Sequence, residues 1–167
     1  MAASDHKHEA TAPVRVFVVT VSDSRTEETD TSGRAARTLV EAAGHVVAGY
    51  RILRDEPDEV AALIRRIADE RIADVVITSG GTGITARDST YEAVSSLLDK
   101  RLDGFGELFR MLSFAEIGSA AMMSRAVAGV HKGVAVFATP GSTNAVTLAL
   151  EKLIIPELGH LVFETHR

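Results

Sequence analysis

The sequence predicts a three-layer α/β/α domain with a mostly parallel central sheet. Its 167 residues are 46% hydrophobic and 25% charged, which is the length and composition of one ordinary globular domain. Short runs of branched apolar residues alternate along the chain with segments in which apolar residues recur every three or four positions. The short runs are apolar almost throughout, as in parallel strands buried on both faces. Their alternation with helices places helices on both faces of the sheet.

The first strand is predicted at residues 14–21, a nearly continuous β-branched run. A polar loop follows, and Thr31 or Ser32 offers an N-cap for the first helix. Apolar residues at helical spacing then continue to Gly44, which supplies the stop.

Residues 45–53 form a second, weaker predicted strand. The next helix opens with acidic residues and Pro57, which suit a helix N-terminus because the macrodipole favours negative charge there. The third strand, residues 74–78, leads directly into a glycine-rich loop. Residues 90–125 are expected to be mostly helical, with breaks at Gly104, Gly106 and Gly118.

Two short runs, residues 126–130 and 134–138, are expected to be strands, and a last helix is expected to end at Pro156. No linker, repeat or low-complexity segment interrupts this pattern. We therefore expect a single domain over residues 14–167. Residues 1–13 are polar, contain no apolar signal-peptide core and are expected to form a flexible tail.

The overall composition argues against several classes of partner. Eighteen basic and 23 acidic residues give a net charge of −5, whereas general nucleic-acid and anionic-membrane binders carry excess Lys and Arg. No Cys is present, which excludes disulfides, thiolate metal sites and thiol nucleophiles. No segment has the composition of a membrane-spanning helix. We expect a cytoplasmic protein that binds neither nucleic acid nor membrane.

The loop after the third predicted strand is the most distinctive local feature. It contains Gly80, Gly81, Thr82 and Gly83. Glycines tolerate positive φ, which lets successive backbone N–H groups turn inward and form a nest for an anion. A tight strand-to-helix turn is the alternative, although such a turn requires only one or two glycines. The composition favours a ligand loop.

Two other loops follow predicted strands and are expected at the same edge of the sheet, where ligands bind in open α/β folds. One contains Ser22 and Asp23, and the second spans residues 139–144. The N–H groups and hydroxyls of the second loop can face an anion at a helix start. An ordinary N-cap, provided by Ser142 or Thr143, explains this composition about equally well.

A pair of carboxylates, Asp55 and Asp88, is expected near the glycine loop. Two oxygen ligands together with substrate phosphates are a usual way to hold Mg²⁺, which would offset the charge that develops during phosphoryl or nucleotidyl transfer. The alternatives are that Asp55 is a helix-start acid and that Asp88 pairs with Arg87 on the surface. For Asp55, the residues alone favour the helix-start interpretation.

Seven motifs resemble a known family when they are taken together and in order. They are VSDSR, DTSG, TSGGTG, RDSTYE, GFGELFR, SRAVAG and TPGSTNAV. They resemble the MoaB and MogA family of molybdenum cofactor biosynthesis proteins, over about residues 14–163. The PGSTN loop and the run MLSFAEIG are similar to the MoaB branch.

This resemblance implies a domain that binds molybdopterin, a pyranopterin dithiolene with a terminal phosphate. In the MogA branch the domain adenylylates that phosphate with Mg-ATP as co-substrate and releases pyrophosphate. The family's two functionally important acids fall on Asp55 and Asp88, which reverses the interpretation of Asp55 as a helix-start acid. The remaining implied pocket residues, for phosphate, pterin or nucleotide, are Ser22, Asp23, Gly80, Gly81, Thr82, Gly83, Arg125, Pro140, Gly141, Ser142 and Asn144.

Three functions remain open on this basis. The first is a molybdopterin adenylyltransferase with Mg²⁺ at Asp55 and Asp88, no tightly bound metal and ATP as the second substrate. The second is a molybdopterin-binding or assembly protein without turnover, because the adenylyltransferase branches more often carry Pro in the loop that reads GSTN here. The third is a nucleotide-binding module outside this pathway. The resemblance also implies a homotrimer or homohexamer.

Overall fold

The computed structural model describes residues 12–167, so most of the predicted tail lies outside the described residues. The strands are β1 (Arg15–Val21), β2 (Val46–Leu53), β3 (Val75–Ser79), β4 (Lys100–Arg101), β5 (Val127–His131) and β6 (Val134–Thr139). The helices are α1 (Thr31–Ala42), α2 (Pro57–Asp69), α3 (Thr90–Leu97), α4 (Asp103–Ile117), α5 (Thr143–Ala149) and α6 (Ile155–Thr165). A 3₁₀ segment (Gly118–Met123) follows α4, and a π-helical turn (Leu150–Ile154) joins α5 to α6.

The strands form one six-stranded sheet in the order β2-β1-β3-β6-β5-β4. The first four strands in that order are mutually parallel, whereas β5 runs antiparallel to β6 and β4 antiparallel to β5. Val21 pairs with Leu53, and Ser79 pairs with Thr139. The four parallel strands therefore end at one edge of the sheet, and the predicted mostly parallel α/β fold is confirmed.

Alternate residues of the central strands are buried on opposite faces of the sheet. In β1, Val16 and Val18 pack with residues of α1, α4, α5 and α6. Phe17 and Val19 pack on the other face with residues of α2 and α3. Because both faces are covered, both sets are excluded from water, which explains the continuously apolar run in the sequence.

The N-cap of α1 is Asp30, so the expectation of Thr31 or Ser32 was wrong. A carboxylate oxygen of Asp30 accepts a hydrogen bond from the backbone N–H of Gly33 at 3.0 Å. The aspartate lies three residues before that N–H, the separation at which a cap side chain reaches a free donor of the first turn. The hydroxyl of Thr31 instead contacts Thr143 at the start of α5, and that of Ser32 donates to the carbonyl of Gly141.

Three further expectations about where the helices are interrupted or end were wrong. Gly104 and Gly106 both lie inside α4, and Gly106 is buried where an added Cβ would come within 2.8 Å of the Ala126 carbonyl. Residues 100 and 101 form an edge strand too short to leave a periodic pattern. Pro156 does not end the last helix, since it occupies the first turn of α6, where a residue without an N–H is tolerated.

Candidate functional site

The glycine loop and the loop after β6 approach each other closely at the carboxyl edge of the sheet. The N–H of Gly80 donates to the carbonyl of Thr139 at 2.9 Å. A Cβ atom on Gly141 would lie 3.3 Å from the Cα of Gly80, so the two backbones are in contact there. The two loops therefore form one continuous backbone surface at the ends of β3 and β6.

The glycine loop presents backbone donors that the protein itself does not use. Gly80 and Gly81 have φ angles of +102° and +73°, which only glycine adopts readily. The N–H groups of Gly81, Thr82 and Gly83 make no hydrogen bond with any other residue in the range 12–167. Three successive free N–H groups after residues with positive φ are the arrangement of an anion nest.

Gly81 lies directly against Thr90 and Asp55. A Cβ at this position would come within 2.0 Å of the Thr90 hydroxyl oxygen and 2.9 Å of the Oδ2 atom of Asp55. Thr90 is fully buried, and its hydroxyl has no hydrogen-bond partner among the described residues. A buried hydroxyl without a partner is costly, so this oxygen is a candidate ligand contact beside the loop.

Asp55 is buried, and one of its two carboxylate oxygens is held by Ser89. Its Oδ1 accepts hydrogen bonds from the Ser89 N–H at 3.1 Å and from the Ser89 hydroxyl at 2.7 Å. Its Oδ2 accepts none from the rest of residues 12–167 and lies on the side of Gly81. The N–H of Asp55 donates to the Oδ1 atom of Asp23 at 3.2 Å, which ties the loops after β1 and β2 together.

Asp88 lies at the other end of the glycine loop. Its Oδ2 accepts hydrogen bonds from the Thr85 N–H at 2.9 Å and from the Thr85 hydroxyl at 2.7 Å. The same oxygen would lie 2.7 Å from a Cβ on Gly83. The two predicted acids therefore flank the loop. The alternative in which Asp88 pairs with Arg87 was wrong, because Asp88 closes a local turn with Thr85.

Arg87 instead joins the loops after β1 and β2 through their carboxylates. Its guanidinium donates to both carboxylate oxygens of Asp23, at 2.7 and 2.9 Å, and lies 2.8 Å from a carboxylate oxygen of Glu56. The hydrogen bonds from Arg87 lower the pKa of Asp23 to about 2, and the two carboxylates raise the pKa of Arg87. Asp23 is therefore ionised at neutral pH but already occupied by a cation.

Arg125 holds the glycine loop rather than pointing a free guanidinium into it. Its backbone N–H donates to the carbonyl of Thr82 at 3.1 Å, and its Nε donates to the carbonyl of Gly83 at 2.9 Å. The guanidinium also pairs with Glu92, whose pKa is lowered by that hydrogen bond, and stacks 4.9 Å from the centre of the Tyr91 ring. In this arrangement Arg125 fixes the position of the loop.

A cavity of about 180 Å³ opens between the ends of β1, β3 and β6. It is lined by Thr20, Val21, Ser22, Arg25, Ser79 and Gly141. Ser22 and Gly141 were predicted site residues, whereas Arg25 was not selected although it belongs to the VSDSR motif. The Arg25 guanidinium donates to the Ser32 hydroxyl at 2.6 Å, and that hydroxyl donates to the carbonyl of Gly141 at 2.6 Å.

The remaining predicted residues of the loop after β6 have different positions. Ser142 is the N-cap of α5, accepting a hydrogen bond from the Ala145 N–H at 3.2 Å. Pro140 directly follows the last residue of β6. Asn144 is exposed and lines a separate cavity with Glu116 and Lys152. The fold does not bring the side chain of Asn144 to the glycine loop.

The donor set suits a metal that arrives with a phosphate ligand. Within residues 12–167 no group of three or more acidic or histidine side chains converges as a metal cluster. The Oδ2 of Asp55 and the Oδ1 of Asp88 carry no hydrogen bond from these residues. Mg²⁺ is usually held by one or two carboxylates, substrate phosphates and water, and each of the two acids retains one oxygen of that chemical type.

Comparison with known proteins decides the family. The model of a family described as "Probable molybdopterin binding domain" matches residues 17–160. A Bacillus cereus protein named Molybdenum cofactor biosynthesis protein B is 52% identical over 168 residues, covering 100% of this chain and 99% of that protein. The chain belongs to the molybdenum cofactor biosynthesis protein B family.

Solved structures of this family have the same fold. A crystal structure of Molybdenum cofactor biosynthesis protein B superposes with a TM-score of 0.90 at 53% identity, covering 93% of this chain and 98% of that chain. The structure of the tungsten cofactor synthesizing protein MoaB from Pyrococcus furiosus gives a TM-score of 0.82 at 39% identity, with 93% and 98% covered. A MogA structure gives 0.81 at 26% identity, with 90% and 99% covered. The predicted resemblance to MoaB and MogA is confirmed.

No helix of residues 12–167 is both long enough and apolar enough to cross a membrane.

Proposed function

We propose that the protein is a molybdopterin adenylyltransferase of molybdenum cofactor biosynthesis. The observation that carries this proposal is the glycine loop, with three free N–H groups between two carboxylates that each retain a free oxygen. Backbone donors bind phosphate oxygens, while carboxylates serve a metal-bound triphosphate. Membership of a family described as a probable molybdopterin binding domain supports molybdopterin as the phosphate-bearing substrate.

In the proposed reaction, a terminal phosphate oxygen of molybdopterin attacks the α-phosphorus of ATP. The bond from that phosphorus to the oxygen bridging to the β-phosphate breaks, and pyrophosphate leaves with the electron pair. The products are adenylyl-molybdopterin and pyrophosphate. Asp55 and Asp88 are the residues that would hold a Mg²⁺ ion entering with ATP, and that ion would supply the charge neutralisation.

The side chains of the site have little acid–base work to do, because a phosphate nucleophile is already ionised at neutral pH. Their role is to position the reactants and to bind charge. The glycine loop binds phosphate oxygens through N–H groups, and Ser89 orients Asp55. Arg125 fixes the loop through the carbonyls of Thr82 and Gly83.

Binding without turnover is the second candidate function. The pairing of the arginines around the site favours it. The guanidinium groups of Arg25, Arg87 and Arg125 are each already engaged by protein acceptors. Stabilisation of a triphosphate therefore depends on Mg²⁺ and on backbone donors. If Asp55 and Asp88 do not hold the metal, the site at the glycine loop can bind molybdopterin through its single phosphate without catalysing adenylyl transfer.

The deciding experiment is incubation of the protein with molybdopterin and Mg-ATP, followed by detection of adenylyl-molybdopterin and pyrophosphate. Equimolar formation of both products supports the adenylyltransferase. Molybdopterin binding without product selects the binding protein. ATP binding without molybdopterin binding would instead indicate a nucleotide-binding module and contradict both candidates.

A further inference from the structure

The largest of the cavities described here lies at the opposite edge of the sheet from the glycine loop. Its volume is about 400 Å³, and it opens where β1, β3 and β6 begin. Its polar lining consists of Arg15, Arg71, Asp74, Lys132, Thr165 and His166. The proposed adenylyl transfer uses none of these residues, so the cavity requires a separate explanation.

The floor of this cavity is held rigid by an ion pair. Arg15 donates to both carboxylate oxygens of Asp74, at 3.0 Å from its Nη2 and 3.3 Å from its Nε. Its Nη1 also donates to the carbonyl of Arg71 at 2.9 Å. Burial alone would raise the pKa of Asp74, but the hydrogen bonds from Arg15 outweigh that effect and lower it. Arg15 and Asp74 therefore satisfy each other and fix the turn that carries Arg71.

Of two cations at the rim, one is unpaired and the other is held only by an exposed ion pair. The guanidinium of Arg71 has no ion pair or hydrogen bond with any other residue in the range 12–167. The ammonium of Lys132 lies 2.8 Å from Asp69, but both side chains of that pair are more than half exposed. Exposed pairs of this kind contribute little and exchange readily for another anion. The cavity thus presents excess positive charge in a protein whose net charge is −5.

The backbone at these two cations is unusual. Arg71 and Lys132 have φ angles of +52° and +47°, and they are the only non-glycine residues with positive φ in the described part of the chain. Arg71 follows the C-cap of α2, and Lys132 is the first residue of the two-residue turn between β5 and β6. Both are positions where glycine or asparagine is usual, because other side chains clash there. Turn geometry alone therefore does not explain two basic residues facing one cavity.

We propose that this cavity is a second anion site, which binds a small molecule carrying a diphosphate group. Arg71 and Lys132 are the binding cations, and Arg15 with Asp74 forms the floor. The volume lies in the range of small-molecule pockets, which favours a compact ligand over a peptide. This inference does not depend on the adenylyltransferase proposal, because no residue is shared between the two sites.

The test exploits the positive φ angles. In the double variant Arg71→Gly with Lys132→Gly, both cations are removed while the backbone conformation becomes easier to adopt. The folded variant is therefore expected to have the wild-type thermal midpoint or a higher one. Titration calorimetry with inorganic pyrophosphate should show one fewer binding site than wild type, or at least tenfold weaker affinity at that site.

A matched control removes two other exposed arginines, Arg51→Ala with Arg65→Ala, which do not line the cavity. This control loses the same formal charge and is expected to bind pyrophosphate as wild type does. Pyrophosphate bound at the glycine loop contributes equally to the titrations of all three proteins. The difference in stoichiometry or affinity between them therefore measures binding in the cavity. An unchanged stoichiometry and affinity in the glycine double variant would overturn the proposal.

A parallel titration with ADP identifies the source of the diphosphate. Tighter binding of ADP than of pyrophosphate, again lost in the glycine double variant, assigns the site to a nucleotide. Equal or weaker binding of ADP, with the same loss, assigns it to free diphosphate. Adenylylation of molybdopterin should be unchanged in the double variant at low pyrophosphate, so failure of the adenylyltransferase proposal leaves this test intact.

Discussion

The side chain and the backbone of Ser89 both donate to the same carboxylate oxygen of Asp55. The hydroxyl lies 2.7 Å and the N–H 3.1 Å from Oδ1. Because Oδ1 is occupied, Oδ2 is the atom left to face Gly81, which lies on the same side. Ser89 follows Asp88 directly, so one short segment carries one acid and orients the other.

Ser89→Ala removes the hydroxyl and leaves the N–H in place. Hydrogen bonds to charged groups contribute about 1.5–3 kcal/mol, of which the remaining N–H retains a part. We expect the rate of adenylylation to fall about tenfold, which corresponds to about 1.4 kcal/mol in the barrier. The rate of pyrophosphate release under saturating Mg-ATP measures this effect.

Ser96→Ala is the matched control for that change. Ser96 lies in α3, the helix that Ser89 precedes, and its hydroxyl donates to the backbone carbonyl of Ala93 at 2.8 Å. Its loss is expected to lower stability slightly and leave the rate unchanged. Equal rates for both serine variants would mean that the Ser89 hydroxyl does not position Asp55.

Asp88→Asn should remove most of the adenylylation activity while the fold and molybdopterin binding persist. The substitution keeps an oxygen for the turn with Thr85 but removes the charge needed beside the metal-bound triphosphate. Loss of an electrostatic contact of this kind typically lowers turnover by about 10²–10³. Asp58→Asn, an exposed acid in the first turn of α2, is the control and should retain full activity. Unchanged turnover in Asp88→Asn would remove Asp88 from the mechanism.

Gly81→Ala and Gly44→Ala separate backbone strain from steric exclusion. Both glycines have positive φ, +73° and +85°, so each alanine carries a conformational penalty of about 1–2 kcal/mol. At Gly44 nothing lies within 4 Å of the added Cβ, whereas at Gly81 it would meet the Thr90 hydroxyl at 2.0 Å. We expect Gly81→Ala to cost about 1–3 kcal/mol more by denaturant unfolding. Equal losses of unfolding free energy in the two variants would show that the residues around Gly81 can move to accommodate a Cβ atom.

The two tyrosines of the chain should titrate in separate steps. Burial and the hydrogen bond to Asp30 raise the pKa of Tyr50 to about 12, whereas the hydrogen bond with Arg101 lowers the pKa of Tyr91 below its usual value. Because the chain contains no Trp, tyrosinate absorbance resolves both steps. Tyr50→Phe should remove the upper step, and Tyr91→Phe the lower one.

The same shift at Tyr50 has a consequence for stability. A pKa raised in the folded state means that the folded protein keeps a proton that the unfolded chain releases near pH 10. The stabilisation is present below that pH and is lost as the pH rises towards 12. Wild type should therefore lose stability in this window faster than Tyr50→Phe. Parallel decreases in the two proteins would contradict the buried contact with Asp30.

The alternation of strands and helices was predictable because burial on both faces leaves a continuous apolar signal, as in residues 75–77 of β3. Local departures from that pattern were not predictable from the sequence. Pro156 in an apolar helical segment indicates an end, yet it lies in the first turn of α6, directly after a π-helical turn. Asp30 caps the Gly33 N–H, whereas the hydroxyl of Thr31 contacts Thr143, a residue 112 positions away, and local sequence does not record that contact.

The sequence by itself determined the fold class, the family and the position of a glycine-rich loop after β3, because glycine content and the period of apolar residues are local properties. Only the tertiary structure decided which partners each charge would take. Arg87 pairs with Asp23 and Glu56 rather than with its sequence neighbour Asp88, and Arg125 donates to a carbonyl of the glycine loop. These contacts depend on the distances between loops that follow different strands. The order of strands in the sheet sets those distances, and a local sequence pattern does not contain them.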